Sequence, residues 1–270
     1  MADELDEIRE KEEANYRVSL KLLGDSVSLV QDLVDLHMII ATTAAKTKLI
    51  LKAEYYVTLQ FTLTARYHLS IGSLATLRAH ISDALRSGRM AIELAAFAVR
   101  VKTYPDLAPV WIEAGDSDEA YDRYTRIFSG QKMFPDEHAV LRELGRRFDT
   151  TSKLSHPSIY ALAEHVRIVK TDSGVEVKFQ YFPVDKGGSE PARTFFWTID
   201  THFGVLRVFV EVLAKALETG GDRCPHERYR RQIDGTQEPV AGGDPPQAGQ
   251  AGGPLCADRH SAILGIAFAG

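Results

Sequence analysis

Two cysteines, Cys224 and Cys256, are all that 270 residues carry, and both fall in the last fifth of the chain. A disulfide framework sets its cysteines among the core residues, so none is expected, and a reducing, cytoplasmic setting is the simplest home. An excess of either charge is also lacking. With 32 basic and 37 acidic residues the net charge is −5, which excludes a global field favouring nucleic acid or membrane but leaves room for a local basic strip. The most apolar stretches are interrupted by Lys46, Lys48, Lys52, Glu54 and Arg66, so no membrane-spanning segment is expected. Met1 to Glu13 is acidic and polar, unlike a signal peptide. Gly-x-Gly-x-x-Gly, the Walker phosphate loop, Gly-x-Ser-x-Gly, His-Glu-x-x-His and Cys-x-x-Cys are all missing, which argues against the commonest nucleotide, hydrolase and metal chemistries. His37, His68, His80 and His202 stand at no ligand spacing, so neither a metal site nor a cofactor is expected.

What the chain does have is 44% hydrophobic residues, enough for a sizeable core. The patterning predicts a mainly α fold, a helical bundle with a small antiparallel β-hairpin insert. Residues 1–24 read as an N-terminal amphipathic helix with Leu5, Ile8, Tyr16, Leu20 and Leu23 on one side, stopped by Gly24. Residues 25–219 read as the helical core. Asp25 or Ser26 is placed to cap a second helix, which carries Leu29, Val30, Leu33, Val34, Leu36 and Ile40 and runs toward Tyr56. Val57 to Ile71 alternates apolar and polar residues like a strand, but it is long, lacks flanking turn signals and lies between helical sequences; helix is the favoured reading. Ser73 to Lys102 reads as a helix, with Ser82–Asp83 or Gly88 as an interruption.

Pro105 and Pro109 mark a turn before a short helix with Trp111. Glu119 to Phe128 forms the next helix, and Pro135–Asp136 opens another that ends near Thr150–Ser155, because Pro157 disfavours a helical His156. A short helix is expected at Ile159–Ala163. The period then changes: Val166 to about Phe182 predicts a hairpin about Asp172–Ser173–Gly174, with Val177, Phe179 and Tyr181 facing Phe196 or Phe203. A last helix is expected from Ala192 to Leu217. Residues 220–270 hold 10 of the 20 glycines and 5 of the 11 prolines, a composition that predicts a disordered tail.

Three groups of residues carry chemical potential. Arg89 and Glu93 stand four apart and share a helix face, in sequence so apolar that a buried pair is expected, either structural or part of a site. Arg142, Arg146, Arg147 and Lys153 gather near one helix end with His156 just beyond. Guanidinium groups with a histidine suit a phosphate, against the plainer reading of a solvated face and a histidine at a helix C-terminus. Trp111, Tyr121 and Tyr124 have the chemistry to stack on a base, but at helical spacing aromatic residues are more often core packing.

The order of these elements resembles a group of uncharacterised bacterial helical proteins. The segments that carry the likeness are Leu85–Ala98 (LRSGRMAIELAAFA), Trp111, the aromatic helix after it, Ser152–Ser158 (SKLSHPS) and the hairpin. Their cores are distantly similar to the HEPN superfamily, named for higher-eukaryote and prokaryote nucleotide-binding domains, and the likeness spans about residues 50 to 217. It implies a helical protein that self-associates as a homodimer or binds a partner. For the superfamily's metal-independent ribonucleases, found in toxin–antitoxin and phage-defence systems, it implies RNA or a nucleotide as ligand. Arg89, Glu93 and His156 are the residues the resemblance marks, with His156 and Arg147 as the candidate catalytic pair and Arg146 as a binding residue. The ribonuclease motif places four to six residues between its Arg and His, whereas eight separate Arg147 from His156, so catalysis by that route departs from the pattern. The remaining alternative is a scaffold in which all these groups only stabilise the fold.

Overall fold

A computed structural model describes residues 2–128, 133–135, 138–155, 166–171, 174–179 and 189–220. Among them the fold is a helical bundle with one two-stranded antiparallel hairpin. The helices are α1 (Ala2–Leu23), α2 (Ser26–Ala45), α3 (Ala53–Leu77), α4 (Ile81–Thr103), α5 (Leu107–Ile112), α6 (Asp118–Phe128), α7 (Ala139–Ser155) and α8 (Ser189–Gly220), with a 3-10 turn at Lys48–Leu51 before α3. The expected disordered tail and the expected helix at Ile159–Ala163 lie outside the described residues, as does His156.

Two core clusters meet along α3 and α8. One joins Val57, Phe61, Ala65 and Leu69 of α3 to Ile92, Ala95 and Phe97 of α4 and to Val205 and Phe209 of α8. The other joins Leu33, Val34 and Ile40 of α2 to Phe195, Leu206 and Leu213 of α8. Burying such side chains at about 25 cal/mol per Å² is the main force holding the helices together. By length and composition α2 passes for a membrane-crossing helix, yet Val30, Leu33, Val34, Leu36 and Ile40 are buried inside the bundle. Its apolarity serves the core.

Several expected boundaries shift, each for a local reason. Gly24 does follow α1, at φ +48°, the left-handed region a helix stop requires. Asp25 precedes α2 but makes no side-chain cap, and α2 ends at Ala45 rather than continuing toward Tyr56. Val57 to Ile71 is helical throughout. Its buried threonines cost little because Thr58 and Thr62 donate to the carbonyls of Glu54 and Thr58 at 2.7 and 2.9 Å.

The helix expected over Ser73–Lys102 is two helices, and the break falls at Ala79 rather than at Ser82–Asp83 or Gly88. Ala79 takes φ +64°, and His80 N donates to Ala75 O at 2.8 Å while Ala79 N donates to Thr76 O at 2.9 Å. That is the usual hydrogen-bonded helix stop, built without glycine. Gly88 instead lies inside α4 under the Trp197 ring; a Cβ there would sit 2.6 Å from the ring carbon Cζ3. The residue is small so that α4 and α8 can approach. Pro135, expected to open the next helix, is not helical, and α7 runs from Ala139, where His138 Nδ1 accepts from Leu141 N at 3.2 Å and caps it; Asp136 lies outside the described residues.

The hairpin pairs β1 (Val166–Thr171) with β2 (Gly174–Phe179) in the register Val166↔Phe179 to Thr171↔Gly174. Its expected packing is not what forms around Val177. That residue is 54% exposed, beside Val175 at 66%, and Phe196 is itself 49% exposed.

Candidate ligand-binding cleft

Helices α4, α6 and α7 enclose a cleft of about 1020 Å³. The elements around it explain its composition. In α4 the small residues Ala91, Ala95 and Ala98 are buried against the core, which leaves Arg89 and Glu93 together on the helix's other side. The short α5 delivers Trp111. Its ring packs edge-on against Phe61 at 4.5 Å and Tyr124 at 5.4 Å between centroids. Ser117 Oγ accepts from Ala120 N at 3.2 Å and starts α6, which brings Tyr121, Tyr124 and Phe128 along one side; the Tyr124 and Phe128 rings stack at 5.3 Å. From α7 come Arg142, Arg146, Phe148 and Asp149.

Arg89 and Glu93 form an ion pair at 3.3 Å with side chains 25% and 18% exposed, so they are half-buried rather than fully enclosed. The guanidinium also lies over the Phe148 ring, 4.7 Å from its centroid, a favourable contact with the negative ring face. Among the described residues its buried Nε has no hydrogen-bond partner, which leaves its desolvation uncompensated by them. Burial pushes the Glu93 carboxyl above the ordinary carboxylate range, with the Arg89 charge and hydrogen bond pulling back. Tyr124 is pushed up too, by burial first and then by the nearby Glu93 and Tyr121. Proton-holding groups are therefore gathered where aromatic rings and guanidinium groups meet.

Four of the expected residues converge here, namely Arg89, Glu93, Arg142 and Arg146, along with the aromatic trio Trp111, Tyr121 and Tyr124. Arg147 does not line the cleft. It turns to Asp200 of α8 at 3.6 Å and to Glu143 at 3.5 Å, while Arg146 reaches the other Glu143 oxygen at 3.1 Å. Adjacent residues on a helix stand about 100° apart, so one arginine faces the cleft and the next the helix packing. Sequence reasoning did not bring Phe148 or Asp149 into the site. The signal available for both was position, since Phe148 and Asp149 follow Gly145 and Arg146 of the same helix by about one turn.

A second polar feature lies apart, deep between α2, α3 and α8. His37 and His202, both fully buried, meet edge-on at 5.7 Å between centroids. His37 Nδ1 donates to Leu33 O at 2.8 Å, and Ser73 Oγ lies 3.5 Å from His202 Nε2. Among the described residues His37 Nε2 and His202 Nδ1 have no hydrogen-bond partner. Burial, chiefly, lowers His37 to about 4, and burial and then His37 lower His202 well below the ordinary histidine range. Both rings are neutral at pH 7. Among the described residues no group of three or more histidine, cysteine or acidic side chains is arranged to hold a metal ion.

No family model matches the chain, and neither a curated protein nor a solved structure matches it.

Proposed function

We propose that the protein is a binding module that takes a nucleotide in the cleft between α4, α6 and α7 and does not cleave it. The observation that carries this reading is the pairing, around about 1020 Å³, of an aromatic wall with arginines from two helices. A pocket of this size holds a ligand of nucleotide dimensions. Tyr121, 58% exposed and beside Tyr124, offers a ring to stack on a base, a contact that is tolerant of base identity. Arg142 and Arg146 offer planar donors for phosphate oxygens. The resemblance to the HEPN superfamily enters the proposal at this level, as a helical core with a nucleotide site.

Binding without cleavage is favoured because Arg147, the expected catalytic arginine, does not line the cleft and instead reaches Asp200 of α8. Titration calorimetry with adenosine monophosphate, adenosine, inorganic phosphate and a short single-stranded RNA tests the proposal. The monophosphate should bind at least about tenfold tighter than nucleoside or phosphate alone, and Arg142→Ala with Arg146→Ala should remove that margin. Equal affinity for nucleoside and nucleotide, or no saturable heat up to about 5 mM, overturns it. RNA binding far tighter than the monophosphate would transfer the site to a polymer ligand.

A further inference from the structure

The alternating sequence of α3 has a consequence for its outer surface. Residues two apart on a helix stand about 200° apart around the axis, so alternation places apolar side chains on two opposite faces rather than on one stripe. The fold uses one of them. Val57, Phe61, Ala65 and Leu69 are at most 1% exposed. The other set remains outside: Tyr56, Leu63, Tyr67, Ile71 and Leu74 are between 39% and 58% exposed. With Thr64 they are all the exposed residues of α3, and not one is charged. A solvated helix face of this length ordinarily carries its charges there; depletion of charge over an apolar patch marks an interface.

We propose that this face of α3 seats a second copy of the chain, packed antiparallel across a twofold axis near residue 65. Area and order argue for a copy over a foreign partner. Five such side chains leave roughly 500 Å² of apolar surface, and a twofold doubles it to about 1,000 Å², the least on which a specific interface stands. The stripe also reads alike from both ends. In an antiparallel pair Tyr56 meets Leu74 and Leu63 meets Tyr67, so every aromatic ring falls on an aliphatic side chain and each contact is made twice, as in an isologous interface. Lys52 and Arg78 bracket the stripe and come opposite each other at its wet rim, where salt screens their repulsion. None of these residues lines the cleft, so the interface stands apart from the nucleotide proposal.

Sedimentation equilibrium of the full chain at about 100 µM tests it. The expected mass is twice the 30.0 kDa of one chain, and the dimer fraction should hold or rise with added salt. Leu63→Glu with Tyr67→Glu should return a single-chain mass with unchanged helical circular dichroism. Because Leu63 is partly packed, Tyr67→Arg and Leu74→Arg made singly provide gentler versions and should each weaken the dimer at least about tenfold. A wild-type mass of 30.0 kDa, a dimer that persists in correctly folded charge variants, or a dimer that dissociates with salt overturns the proposal.

Discussion

The His37–His202 centre and the α4–α6–α7 cleft both hold a buried ring or guanidine nitrogen without a partner among the described residues, yet they sit in opposite surroundings. The histidine pair is sealed, with neither residue exposed. Arg89 faces an open volume and retains an ion pair and a ring beneath it. An uncompensated polar group in a sealed core costs stability and responds only to protons. The same group at the wall of a cleft can be satisfied by whatever enters. The difference separates what the fold tolerates from what it presents.

The largest effect that sharpens this contrast is acid sensitivity of the sealed centre. His37 is lowered to about 4 in the folded chain from an ordinary 6.5. Between those values the unfolded chain binds the extra proton, so stability is complete above pH 6.5 and falls as pH drops toward 4. Linkage puts the loss at roughly 3 kcal/mol from this residue, a figure that already includes the smaller contribution of the nearby Arg66 charge. Urea midpoints measured from pH 7 to 4 should track that loss, and His37→Leu should flatten the curve. An unchanged slope in that variant would show that other groups govern the acid response.

A smaller effect is expected from Arg89→Ala. It leaves the half-buried Glu93 carboxylate without its partner and removes the contact to Phe148, a loss of about 1–2 kcal/mol in thermal or urea unfolding. Stability equal to wild type would mean that solvent already replaces Arg89. The smallest stability change, within about 0.5 kcal/mol, is expected for Tyr121→Ala, because that ring is largely exposed. Nucleotide affinity should nonetheless fall several-fold, and a Tyr121→Ala protein that unfolds early would place the ring in the core instead.

Local chemistry was legible where one residue or one spacing decides the outcome. Gly24 stops α1, β1 ends at Thr171 and β2 starts at Gly174 where the sequence carries its turn signal, and Arg89 with Glu93 at four-residue spacing form their pair. What could not be read depends on distant partners. The stop at Ala79 has neither glycine nor proline to announce it. Gly88 looks like a helix breaker until Trp197 is known to cover it, and Val177 looks like a packing residue until its surroundings are known. The division of labour between Arg146 and Arg147 turns on Asp200, which lies more than fifty residues further along. The alternation in α3 contained its two apolar faces from the start, but only the bundle shows which face is left uncovered.

Fluorescence of Trp111 tests the central assignment most directly, because that ring is part of the cleft wall. With Trp197→Phe the chain, which has two tryptophans, reports from Trp111 alone. The account predicts a saturable change in Trp111 emission on titration with adenosine monophosphate, weakened at least about tenfold when Arg142→Ala and Arg146→Ala are added. Emission that stays flat while calorimetry registers nucleotide binding would place the ligand elsewhere and contradict the assignment of the cleft.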